Sequence, residues 1–121
     1  MTDPVTVANR YIDLWNETDP ARRRKLLEQT WSPSVGYVDP LAAVEGHDGM
    51  DALVAGVQQR FPGFRFRLVG APDGYADKVR FTWELGPETG QAPIQGSDVV
   101  LLEDGRVRRV IGFLDRVPAD A

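Results

Sequence analysis

The hydrophobic period of this chain changes once, at Pro62-Gly63, and that change limits the possible folds more than any other feature. Before it, apolar residues recur at helical spacing. A first segment carries Val7, Ala8, Tyr11, Ile12, Leu14 and Trp15, a second Leu26, Leu27 and Trp31, and a third Met50, Leu53, Val54, Val57 and Phe61. After it, Phe64, Phe66 and Leu68 alternate with Arg65, Arg67 and Val69. Val79, Phe81, Trp83 and Leu85 then alternate with Arg80, Thr82 and Glu84. This is the period of strands with one buried face. Three helices followed by a run of strands define an α+β arrangement.

The punctuation residues fix the boundaries. Asp3-Pro4 and Asp19-Pro20 each open a helix, with Asp capping free backbone N–H groups and Pro at the first helical position. Ser32-Pro33 ends the second helix. Val35 to Val38 is expected to be a short strand that stops at Asp39-Pro40, because a residue before proline is held extended. Gly46-His47-Asp48 opens the third helix. Pro72-Asp73-Gly74 reads as a turn, and Glu103-Asp104-Gly105-Arg106 as a tight hairpin turn. Between them lie strands at Val79–Leu85, about Ile94–Leu102 and Val107–Leu114. A four-stranded antiparallel meander with helices on one face curls into a cone, which leaves room for a largely apolar pocket between sheet and helices.

With 121 residues the chain fits one domain, residues 1–121, around one core. The absence of cysteine excludes disulfides and thiolate metal sites, and a single histidine argues against a histidine-rich metal centre. No cofactor is expected. The net charge of -4 gives no reason to expect nucleic acid, and Arg22-Arg23-Arg24-Lys25 reads as a solvated helix face. No apolar run follows a basic N-terminal segment, and no window has the length of a membrane span. The expectation is a soluble cytoplasmic domain with no membrane partner.

Three polar residues stand in apolar surroundings. Tyr11 lies on the apolar face of the first helix, where its hydroxyl needs a partner. Asp39 closes a strand at the rim of the expected cone. Asp98 precedes Val99-Val100-Leu101-Leu102 and shares face parity with Val100 and Leu102. Taken singly, each has an ordinary explanation: a core tyrosine on a backbone carbonyl, an Asp-Pro turn in water, a strand-end aspartate beside Gly96-Ser97. Taken together, a phenol and two carboxyl groups in one apolar cavity suit proton transfer next to a carbonyl. A carboxylate in contact with water can take a proton from carbon, while a desolvated carboxyl and a phenol can donate hydrogen bonds to an enolate oxygen.

The order Asn9-Arg10-Tyr11-Ile12, Trp15-Asn16-Glu17-Thr18-Asp19, Val38-Asp39-Pro40, Gly46, Gly96-Ser97-Asp98 and Asp104-Gly105-Arg106-Val107 resembles the SnoaL-like and ketosteroid isomerase-like branch of the nuclear transport factor 2-like superfamily. The resemblance follows element order over nearly the whole chain, on short motifs. It implies a cone-shaped α+β barrel, with three N-terminal helices packed on a curved, mostly antiparallel sheet. It also implies roles: Asp39 as general base, and Tyr11 and Asp98 as oxyanion donors, Asp98 staying protonated near neutral pH. Ketosteroid isomerase is an established example of this division of labour between two aspartates. Two positions depart from the isomerase pattern. Val54 stands where a further tyrosine would support Tyr11, and the aromatic Trp31, near the end of the second helix, replaces another of those tyrosines.

The expected ligand is a small apolar carbonyl compound of polyketide, steroid or terpenoid type. Trp15, His47, Val54, Trp83 and Phe113 are candidate ligand contacts. For His47 a polar residue at a helix start is the competing explanation, and for the aromatic residues it is the core. Isomerisation and aldol-type cyclisation both follow from proton abstraction. A non-catalytic ligand-binding or dimerisation module, with a homodimer formed through the sheet face, is the alternative. Epoxide hydrolysis would need Arg80 or Arg109 to point inward.

Overall fold

The computed structural model describes residues 3–118. The elements are α1 (Pro4–Asn16), α2 (Pro20–Thr30), β1 (Trp31–Val38), β2 (Ala43–Glu45), α3 (Gly46–Arg60), β3 (Arg65–Tyr75), β4 (Lys78–Gly86), β5 (Ile94–Glu103) and β6 (Arg106–Arg116). Both Asp-Pro caps form: Asp3 accepts from the Thr6 N–H at 3.2 Å and Asp19 from the Arg22 N–H at 3.0 Å. The six strands make one sheet in the order β2-β1-β6-β5-β4-β3. β1 and β6 run parallel and every other pair is antiparallel. The fold is α+β, three helices on a curved sheet that is not closed.

Tertiary pairing moves several of the expected boundaries. Trp31 belongs to β1, where it pairs with Val107, and β1 runs on through Pro33. Pro33 falls in the register shift between Trp31 and Gly36, where the ladder does not need its missing N–H. Pro72-Asp73-Gly74 does not reverse the chain. It lies where β3 and β4 lose register between Val69 and Asp73, so the strand bends and continues to Tyr75. The reversal comes at Ala76-Asp77, with Ala76 at φ 51°. The Asp104-Gly105 turn forms as the sequence indicates, with φ 52° and 77°.

The core lies between the inner sheet face and α1, which packs on β3 and β4, while α3 packs on β1. Aromatic rings fill it: Tyr11 lies 4.9 Å from Phe81 and 5.6 Å from Trp31, and Trp15 and Trp83 each lie 5.2 Å from Phe66 (centroid to centroid). The Asn16 side chain bonds to both backbone groups of Phe66, at 2.8 and 2.9 Å, and so fixes the end of α1 to the edge strand β3.

A buried arginine joins the three helices. Arg23, 4% exposed, donates to Asp51 on α3 at 2.6 Å, to the Glu17 carbonyl after α1 at 3.1 Å, and to Gln58 at 3.2 Å. Gln58 in turn donates to the carbonyls of Trp15 and Glu17, so the open end of α1 is satisfied from α2 and α3. Removing one partner of such a pair leaves a desolvated charge. We expect Asp51→Ala to lower unfolding free energy by about 3 kcal/mol. Asp48→Ala, which breaks the exposed pair with Arg24, should cost about 0.5 kcal/mol or less. Urea denaturation of the two variants makes the comparison, and equal losses would refute it.

Candidate active site

β1, β6 and β5 bring the two aspartates together. Asp98 sits in the middle of β5, paired with Phe81 of β4 on one side and Gly112 of β6 on the other, and is 2% exposed. Asp39 follows directly on β1, whose last residue, Val38, pairs with Ile111. Gly112 therefore lies between the two acids. A Cβ on Gly112 would lie 2.7 Å from Asp98 Oδ1 and 3.2 Å from the Cβ of Asp39, so both side chains use the space its missing side chain leaves. An isolated glycine inside a strand is a sequence signal for this kind of close approach.

Tyr11 reaches this point from α1 and donates its hydroxyl to Asp98 Oδ2. Burial pushes the Asp98 carboxyl up to about 6, against the pull of that hydrogen bond. Asp98 is thus protonated for the most part only below about pH 6, and the ionised form prevails at pH 7. Burial, and then the charge of Asp98, raise the Tyr11 phenol well above its ordinary value, so it remains a donor.

Asp39 is half-buried and held by three donors. Its Oδ1 accepts from the Leu41 and Ala42 N–H groups at 2.7 and 2.8 Å, and its Oδ2 accepts from the Tyr37 hydroxyl at 2.6 Å. A carboxylate offers about four lone-pair positions. Both on Oδ1 are used, and one on Oδ2 stays open. Tyr37 did not emerge from the sequence as a site residue. The signal was present, because Val35, Tyr37 and Asp39 share strand parity. Burial and the hydrogen bond to Asp39 raise the Tyr37 phenol, so it too stays protonated. Val54 offers no tyrosine near Tyr11, and Tyr37 supplies a second phenol from β1 instead.

These groups face a cavity of about 590 Å³ between α3, α1 and the sheet. Tyr11, Trp15, Tyr37, Asp39 and Trp83 line it, whereas Asp98 stands behind Tyr11 and does not. Three of the candidate ligand contacts lie elsewhere. Val54 is fully buried in the core, because its turn of α3 faces the packed interior. Phe113 is 56% exposed, since strand parity turns it to the outer sheet face, opposite Gly112. His47 is held by the Trp31 carbonyl at 2.8 Å and does not line the cavity. Arg80 and Arg109 are exposed, Arg80 beside Asp73 at 3.3 Å, and neither lines the cavity. Among the described residues no cluster of His, Asp or Glu side chains is arranged to hold a metal ion. No helix among them is long and apolar enough to cross a membrane.

The SnoaL-like domain model matches residues 8–110, a span that contains Tyr11, Tyr37, Asp39 and Asp98. The chain belongs to the SnoaL-like domain family. Among solved structures it is similar to a candidate isomerase of that family from Agrobacterium tumefaciens, at 45% identity over 95% of this chain and 99% of the other, with a TM-score of 0.90. A candidate SnoaL-like polyketide cyclase from Jannaschia shares 21% identity over 95% and 90% of the two chains, with a TM-score of 0.70. A candidate ketosteroid isomerase from Kribbella flavida shares 17% over 94% and 78%, with a TM-score of 0.70. These last two likenesses concern the fold. No curated protein matches the sequence.

The position of Asp98 has a consequence for stability. Its carboxyl stands at about 6, above the ordinary 3.8, so the native state holds that proton more tightly than the unfolded chain. The associated stabilisation is present below about pH 4 and is lost as pH rises through 6. Asp98→Asn has no such titration. Between pH 4 and pH 7 the unfolding free energy of the wild type should therefore fall by about 2 kcal/mol relative to Asp98→Asn. Urea denaturation at a series of pH values measures this, and a pH-independent difference would show an ordinary carboxyl at position 98.

Proposed function

We propose that the protein binds a compact apolar carbonyl compound and removes a proton from the carbon next to the carbonyl. The observation that carries this reading is Asp39, with three donors on its carboxylate and one position on Oδ2 unused, lining an apolar cavity that Tyr11 also lines. The C–H electron pair becomes the enolate double bond, and the proton goes to Asp39 Oδ2. Charge develops on the substrate oxygen, where the Tyr11 hydroxyl donates. Asp98 acts through Tyr11. When protonated it donates to the phenol oxygen and frees the Tyr11 proton for the substrate. Tyr37 keeps the base oriented. Return of the proton to a different carbon gives isomerisation. Attack of the enolate carbon on a second carbonyl gives cyclisation, with the proton delivered to the new alkoxide. The family membership and the likeness to the Agrobacterium protein support an enzyme-like role.

One observation favours a second reading. Tyr11 spends its donor on Asp98, as it would in a module that binds an apolar compound without transforming it. Deuterium exchange into the α-position of a cyclic ketone such as 2-decalone, followed by NMR in D₂O, separates the two, because exchange needs only the first step. We expect enzyme-dependent exchange, slowed about 100-fold or more by Asp39→Asn and about 10- to 100-fold by Tyr11→Phe. Exchange that survives Asp39→Asn unchanged would remove Asp39 as the base. A wild type that binds the ketone without exchange would establish the binding module.

A further inference from the structure

The cavity wall contributed by α3 ends in a cation. Ala52, Leu53, Gly56 and Val57 line the cavity along one stripe of this helix, and the next turn on the same stripe presents Arg60. Arg60 is the only basic residue among the lining side chains. Among the described residues it forms no ion pair. Its guanidinium lies 5.7 Å from the centre of the Phe61 ring, which itself stacks on Phe64 at 5.5 Å. Arg60 is exposed, and that aromatic shelf lies beside its guanidinium at the rim of the cavity. A cation in the last helical turn also suits the helix dipole, but that role does not require it to face the cavity.

Topology sets Arg60 apart from the acids. α3 ends shortly before β3 begins at Arg65, which pairs with Gly86, and the neighbouring wall is Leu85 paired with Ile94. Asp98 and Gly112 lie in the row of Phe81. Leu85 is four residue steps from Phe81, about 13 Å along β4. The cavity thus has a proton-transfer end and a cationic end on the order of 10 Å apart, with apolar wall between.

We propose that Arg60 binds a carboxylate at the far end of the ligand, so that the ligand class is an apolar keto acid whose carbonyl and carboxylate lie on the order of 10 Å apart. A single guanidinium, with no other basic group lining the cavity, suits a monoanion better than a phosphate dianion. This inference names the ligand of the proton-transfer site and rests on that reading for the carbonyl end. Its test reads binding alone and is independent of turnover.

The probes are 9-oxodecanoate and its neutral amide, 9-oxodecanamide, which differ only at the carboxylate end. Isothermal titration calorimetry at pH 7.5 and 50 mM salt should give about tenfold tighter binding of the acid by the wild type. Arg60→Met should abolish that advantage and leave amide binding unchanged, while Arg60→Lys should keep part of it. Salt at 500 mM should weaken the acid and not the amide. Decyl phosphate is the competing anion, and a phosphate preferred over the carboxylate would overturn the assignment. So would equal affinity for acid and amide in the wild type, an advantage that persists in Arg60→Met, or no binding of either probe. Failure of the proton-transfer reading appears separately, as an acid preference that depends on Arg60 in a protein that exchanges no deuterium.

Discussion

The site depends on the parallel pairing of β1 with β6. In an antiparallel meander alone, Asp98 would face the helices with no second carboxyl near it. β1 enters the sheet from between two helices, lies beside the last strand, and carries Tyr37 and Asp39 to the edge of the row that contains Asp98. Gly112 makes the approach possible, since any side chain there would collide with Asp98. Two acids far apart in sequence thus share one small volume, and a backbone position with no functional group of its own sets the spacing.

Burial then gives the two acids different properties. Asp98 is desolvated, and burial raises its proton affinity against the opposing pull of the Tyr11 hydroxyl. Asp39 sits at a strand end, where two N–H groups of its own turn and one phenol hold it. The same side-chain type is therefore half-buried and held by three donors on one side of Gly112, and buried behind Tyr11 on the other. The geometry follows from where strands end, and no further ionisable residue is needed to separate the two.

Much of this was legible in the sequence because it rests on local rules. The helix faces, the two Asp-Pro caps, the Asp104-Gly105 turn and the inward parity of Asp98 need only periodicity and backbone preference. What escaped rests on pairing between distant segments. Trp31 continues the apolar pattern of α2, and only the ladder with Val107 shows that it begins a strand. Pro72-Asp73-Gly74 has turn composition, but the register shift against β4 absorbs it as a bend. Tyr37 was readable by parity from Asp39, yet its hydrogen bond to that residue depends on how the turn after Val38 folds back. Phe113 fell on the wrong face because its neighbours are apolar on both sides, so composition alone does not say which face is wet.

The aromatic lining also has an optical consequence. The chain has three tryptophans, and all three belong to the cluster around Tyr11: Trp15 and Trp31 lie 6.2 and 5.6 Å from its ring, and Trp83 joins through Phe66. None lies on the outer surface, and none of their buried indole N–H groups has a hydrogen-bond partner. Tryptophan emission of this protein therefore arises from the core around the cavity, with no tryptophan on the outer surface to dilute it. The native chain carries its own label at the place where chemistry is expected.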